Sequence, residues 1–107
     1  MVKRAVFPGS FDPITLGHEN IIRRAIPIFD EIIIAIGQNI EKKNQFTLED
    51  RMNWILQTFQ DCTNIRVDYY SGLTVDYCKK VNAQYILRGL RTSADFEFER
   101  TVGQVNK

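Results

Sequence analysis

The run Ile32-Ile33-Ile34-Ala35-Ile36 is apolar throughout and almost entirely β-branched. A strand with one wet face alternates apolar and polar residues. An unbroken run instead suits a strand covered on both faces, as in a parallel sheet packed between helices. The rest of the chain supplies the other parts. Ala5-Val6-Phe7, ended by Pro8-Gly9, reads as a buried strand entering a loop. Ile65 to Tyr69 and Tyr85 to Leu87 read as a third and a fourth strand. Between them lie helical stripes. Ile21, Ile22, Ala25, Ile26 and Phe29 line one face, with Pro27 placed to distort the last turn. Leu48, Met52, Ile55, Leu56 and Phe59 line another, opened by Thr47 and Asp50 in the spacing of a capping box. Thr74 to Val81 is a third helix.

From about Ser93, the spacing of Phe98, Val102 and Val105 predicts a last helix that is still running at Lys107, with no cap, glycine or proline after it. Strand and helix thus alternate four times. The expected architecture is α/β: a Rossmann-like parallel sheet with helices on both faces, joined by right-handed crossovers. The expectation is a single domain, 1–107, incomplete at its C-terminal end.

Composition excludes little. The chain has 107 residues, 44% apolar and 25% charged, with a formal charge of +1. That balance gives no general reason to expect nucleic acid or an anionic membrane as partner, so any phosphate recognition must be local. Cys62 and Cys78 form no CxxC pair, which reads as two free thiols in a reducing compartment. No apolar run is long enough to span a bilayer, and Met1 to Arg4 leads directly into a strand without a signal-peptide pattern. A cytoplasmic protein is expected.

In such a sheet, ligands bind beyond the carboxyl ends of the strands, where the strand order switches direction. The unusual residues fall there. After the first strand comes Pro8-Gly9-Ser10-Phe11-Asp12-Pro13-Ile14-Thr15-Leu16-Gly17-His18. Gly9 permits a tight turn, Ser10 offers a hydroxyl, and Gly17 lets a bulky anion approach. His18, the only histidine, stands in the first turn, where unpaired N–H groups and the helix dipole favour phosphate. The pattern is neither Gly-x-Gly-x-x-Gly nor a P-loop. After the fourth strand, Arg88 and Arg91 flank Gly89 on the same sheet edge, two forked cations suited to phosphate oxygens. Lys42 and Lys43 follow the second strand on that edge and are candidates to neutralise a second phosphate. Asp95, Glu97 and Glu99 would open the last helix and complement its dipole, although Glu99 lies further in and is free to face a nucleotide.

Thr15-Leu16-Gly17-His18 with its Gly9 to Pro13 lead-in resembles the signature of the adenylyl- and cytidylyltransferase superfamily. Adding the lysine pair before Phe46-Thr47-Leu48-Glu49, then Ser71-Gly72-Leu73, and Ile86 to Arg91 with Ala94-Asp95-Phe96-Glu97, the chain resembles the bacterial phosphopantetheine adenylyltransferase family over nearly its whole length. The resemblance implies a nucleotidyltransferase that moves the adenylyl group of ATP to 4'-phosphopantetheine, giving dephospho-CoA and pyrophosphate in coenzyme A biosynthesis. It implies His18 as transition-state stabiliser, with Lys42 and Arg91 also catalytic. Ser10, Phe11, His18, Gly89, Leu90, Arg91 and Glu99 would bind ATP. Ser10, Lys42, Thr74 and Arg88 would bind phosphopantetheine. Mg²⁺ would come with the ATP rather than on protein side chains, and the family assembles as a hexamer. Ser10 stands where the family commonly has Thr, and Thr74 where it is usually apolar. Members continue past this point with a fifth strand and an Ile-Ser-Ser-Ser segment on the ATP phosphates. Two other readings stay open: a nucleotide- and pantetheine-binding fragment with little activity, and an adenylyltransferase for another acceptor such as nicotinate mononucleotide.

Overall fold

A computed structural model of the chain describes residues 2–38, 43–89 and 96–100. The elements are β1 (Arg4–Gly9), α1 (Leu16–Ala25), β2 (Glu31–Gln38), α2 (Leu48–Thr58), β3 (Ile65–Ser71), α3 (Thr74–Lys80), β4 (Tyr85–Gly89) and β5 (Phe96–Arg100). A 3-10 turn, Ile26–Ile28, follows α1 where Pro27 removes a helical N–H. The strands form one sheet in the order β3-β2-β1-β4-β5. The first four are mutually parallel, and β5 runs antiparallel to β4. The order therefore switches direction between β1 and β4.

Alternate residues of β2 explain the two-sided core. Ile32, Ile34 and Ile36 point into the larger cluster with Phe7, Phe11, Ile22, Ala25, Ile55 and Leu87, beneath α1 and α2. Ile33 and Ala35 point the other way and pack with Val6, Tyr77, Cys78 and Ala83 beneath α3. All five residues from Ile32 to Ile36 are fully buried. Among the described residues, no helix is long and apolar enough to cross a membrane.

The final helix predicted from Ser93 onward is not what residues 96–100 form. They make an edge strand, so the fourfold alternation ends at β4 and the sheet is mixed. Val102 and Val105, which completed the helical spacing, lie outside the described residues, as does Asp95. Within Phe96-Glu97-Phe98-Glu99-Arg100 the pattern is a two-residue alternation of aromatic and charged side chains, which suits a strand. Phe98 packs edge-on against Phe29 and Tyr85, with ring centroids 5.2 and 5.5 Å away. Glu97 and Glu99 consequently complement no helix dipole; they face Arg88.

Two smaller differences bear on the site. β4 runs on through Arg88 and Gly89 rather than stopping at Leu87. Only the forward half of the expected box at Thr47 forms: its Oγ1 accepts the Asp50 N–H at 3.1 Å. An Asp side chain is one methylene shorter than the Glu that closes such a box. Because β2 is buried on both faces, Ile33→Ala and Ile34→Ala should each destabilise by about 2–5 kcal/mol, from opposite sides of the sheet. Urea unfolding of both variants measures this, and a loss below 1 kcal/mol at either site would contradict two-sided burial.

Candidate active site

The first loop is shaped from beneath. Phe11 adopts a left-handed backbone, φ 46°, and is only 2% exposed. That conformation is unfavourable for an aromatic residue, and burial of the ring offsets it. The ring sits edge-on to Phe7 at 5.5 Å and to His18 at 4.9 Å. A Cβ on Gly9 would lie 3.0 Å from the Phe11 ring, so glycine there is what lets the ring fold back under the loop. The Asp12–Pro13 peptide bond that follows is cis.

His18 is held by the loop that precedes it. Thr15 caps α1, its Oγ1 accepting the His18 N–H at 3.3 Å. In return, the Thr15 backbone N–H donates to His18 Nδ1 at 3.0 Å. This is a capping box with His in the place usually taken by Glu or Gln. Nδ1 is an acceptor here, so the neutral ring carries its proton on Nε2 and keeps that N–H as a donor for a ligand. Partial burial pushes the His18 pKa below its ordinary value of 6.5, which favours the neutral ring.

Two contacts tie this loop to the segment before α2. The Asp12 carboxylate accepts the backbone N–H groups of Gln45 at 2.6 Å and Phe46 at 2.8 Å. From α2, Arg51 donates from Nη1 to the Ser10 carbonyl at 3.0 Å and from Nε to the Thr47 carbonyl at 3.3 Å. Arg51 is 2% exposed. Asp12 falls within the loop singled out from sequence but had no role there, and Arg51 had not been picked out. Arg51 did leave a signal: it falls three residues after Leu48 and four before Ile55, so an arginine occupies the apolar stripe of α2.

Gly89 closes the other side of the crevice. A Cβ there would meet Ile21 Cδ1 at 2.7 Å, so its absence lets the end of β4 approach α1 one turn after His18. The close approach brings the Arg88-Gly89 end of β4 alongside the first loop, at the switch point between β1 and β4. Arg88 itself is engaged. It pairs with Glu99 and lies 3.8 Å from Glu97, so residues implied to serve different substrates partner each other. Thr74 begins α3 and shares a 2.7 Å hydrogen bond with the Tyr70 hydroxyl. It follows β3, two strands or roughly 10 Å across the sheet from β1. Lys42, Leu90 and Arg91 lie outside the described residues, while Lys43 is exposed. Among the described residues, no three His, Cys, Asp or Glu side chains converge as a metal site.

Residues 6–107 match the cytidylyltransferase-like family. The chain is 58% identical over 106 residues to a phosphopantetheine adenylyltransferase of Flavobacterium psychrophilum, covering 99% of this chain and 70% of that protein. A namesake from Christiangramia forsetii is 57% identical over 98% of this chain and 70% of its own. One from Bdellovibrio bacteriovorus is 47% identical over all of this chain and 67% of its own. The chain thus spans about 70% of the length of the first two relatives. Among solved structures, a bifunctional NMN adenylyltransferase/ADP ribose pyrophosphatase of Francisella tularensis, complexed with AMP and a manganese ion, superposes with a TM-score of 0.57 at 25% identity. That match covers 76% of this chain and 25% of the other.

The depressed His18 pKa has a defined sign. The unfolded state takes up a proton near pH 6.5 and the folded state only at lower pH, so the stabilisation is present above 6.5 and is lost as pH falls through the folded value. Proton-detected NMR titration should find the imidazole midpoint below 6.5 with the neutral proton on Nε2. A midpoint at or above 6.5, or a neutral proton on Nδ1, would contradict the capping-box geometry.

Proposed function

The chain belongs to the phosphopantetheine adenylyltransferase family, and we propose that it catalyses attack by a phosphate oxygen of 4'-phosphopantetheine on the α-phosphorus of ATP. A new P–O bond forms at the α-phosphorus, the α–β bridge breaks, and pyrophosphate leaves with the electron pair. The products are dephospho-CoA and pyrophosphate. The observation that carries this reading is the capped His18, whose Nε2–H has no hydrogen bond among the described residues and can donate at the β1–β4 switch point.

The nucleophile is already anionic near neutral pH, so no general base is required. Catalysis rests on in-line placement and on donors aimed at the developing charge. His18 would donate to the ATP phosphates, with Lys42 and Arg91 adding charge. Ser10, Phe11, Gly89 and Leu90 would line the nucleotide, Gly89 by its bare backbone. Phe11 is too buried to offer its ring and would serve through its main chain. Arg88 would bind the acceptor phosphate and Glu99 the nucleotide, so binding would exchange their mutual ion pair for substrate contacts. Thr74 would lie along the pantetheine arm. That arm must cross from β1 toward β3, which accords with an extended substrate.

A divalent ion, Mg²⁺, would enter on the ATP phosphates and neutralise part of their charge. We treat the chain as part of a single nucleotidyltransferase domain in a cytoplasmic protein that assembles as a homo-hexamer. Leu73 and Val75, exposed at 69% and 40%, offer apolar surface for such assembly.

Pyrophosphate release from ATP tests the reading, run with 4'-phosphopantetheine and, in parallel, with nicotinamide and nicotinate mononucleotides. Turnover is expected with the first alone. Turnover only with a mononucleotide would overturn the acceptor, and binding without turnover would make the chain a binding fragment. His18→Ala should lower kcat by about 10²–10³ while the circular dichroism spectrum stays native. Near-normal kcat in that variant would remove His18 from its role.

A further inference from the structure

Arg51 is a buried cation with no catalytic assignment. It lies on the apolar stripe of α2, 2% exposed, and among the described residues it donates to two main-chain carbonyls, those of Ser10 and Thr47. Among the described residues, no carboxylate lies within salt-bridge distance of it. Burying a guanidinium without a counter-charge is costly, and an apolar side chain would fill the same place at lower cost. The fold alone therefore gives no reason for an arginine here.

The bond to Ser10 supplies the reason. The Ser10–Phe11 peptide is trans, so its C=O and N–H point in opposite directions. Arg51 draws the Ser10 carbonyl toward α2 and so turns the Phe11 N–H the other way. That N–H has no hydrogen bond among the described residues. A peptide N–H aimed outward beside the capped start of α1, with a fixed positive charge behind it, suits a phosphate oxygen.

We propose that Arg51 is a positioning residue for adenylyl transfer: it orients the Ser10–Phe11 peptide toward the ATP phosphates and lays a permanent charge behind them. This rests on the reading of the first loop as the ATP site. Arg51 also grips the Thr47 carbonyl at the start of α2, so one side chain sets the spacing between the loops after β1 and β2.

Arg51→Lys and Arg51→Met test this, with native folding checked by circular dichroism below the melting temperature. Lys keeps the charge but cannot fork to both carbonyls, and Met removes both. Relative to the unsubstituted protein, kcat/KM for ATP should fall about tenfold in Arg51→Lys and about a hundredfold in Arg51→Met, with KM for the acceptor within threefold. ATP affinity, measured by calorimetry without acceptor, should fall in the same order. A purely structural role would lower the melting temperature and leave kcat/KM for ATP within twofold in the folded variants, overturning the proposal. Should both variants fail to fold, ¹⁵N NMR of the unsubstituted protein decides: the Arg51 Nε–H and Phe11 N–H resonances should both shift on adding ATP, and unmoved resonances overturn it. A protein that binds ATP but transfers to no phosphopantetheine sinks the acceptor alone, and Arg51 is then judged on ATP affinity. A protein that binds no ATP overturns both.

Discussion

Burial of β2 on both faces is the constraint from which the rest of the structure follows. Ile32, Ile34 and Ile36 need α1 and α2 above them, and Ile33 and Ala35 need α3 below. Helices can cover both faces only if the chain crosses over after each strand, and crossovers make the strands parallel. Parallel strands put all their carboxyl ends on one edge. The carboxyl ends of β1, β2 and β4 are neighbours for that reason, although up to about eighty residues separate them along the chain. The hydrophobic effect thus gathers the polar groups without acting on them.

What it cannot do is set their geometry to fractions of an ångström. Here that falls to a few directed contacts. Phe11 is pinned under the loop by burial, His18 is tied to Thr15 through both of its backbone-facing bonds, and Asp12 and Arg51 stitch the loop to the segment before α2. The contacts of His18, Asp12 and Arg51 use buried or half-buried polar groups, where a hydrogen bond is costly to leave unmade and therefore specific in direction. The Arg88 pairing with Glu97 and Glu99 is of another kind. It is exposed on both sides and worth little.

Much of this was legible in the residues. The apolar runs and stripes located the first four strands and three helices, and the Thr15 to His18 motif located the loop. Elements declared themselves because burial imposes a period of two or 3.6 on the side chains over many positions. Arg51 escaped because a single charged residue on an apolar stripe reads as a flaw until its partners are known. The partners are main-chain carbonyls, which carry no sequence signal at all. His18 Nδ1 was missed as a cap acceptor because capping boxes are sought with Glu or Gln at that position. Residues 96–100 were read as helix because Phe98, Val102 and Val105 match a helical period. Over five residues, a period of two fits as well, and packing of Phe98 on Phe29 and Tyr85 favours the strand.

By itself, then, the sequence determined the class of fold, the sheet edge that carries the candidate site residues and the family, because each depends on patterns that recur along the chain. Tertiary structure decided which nitrogen of His18 is left to donate, which peptide the buried Arg51 turns, and that Arg88 and Glu99 hold each other. Arg51 and Ser10 stand 41 residues apart, Arg88 meets Glu99 only because β5 lies beside β4, and the Thr15–His18 contact, though local, runs through a backbone N–H that no side-chain pattern encodes.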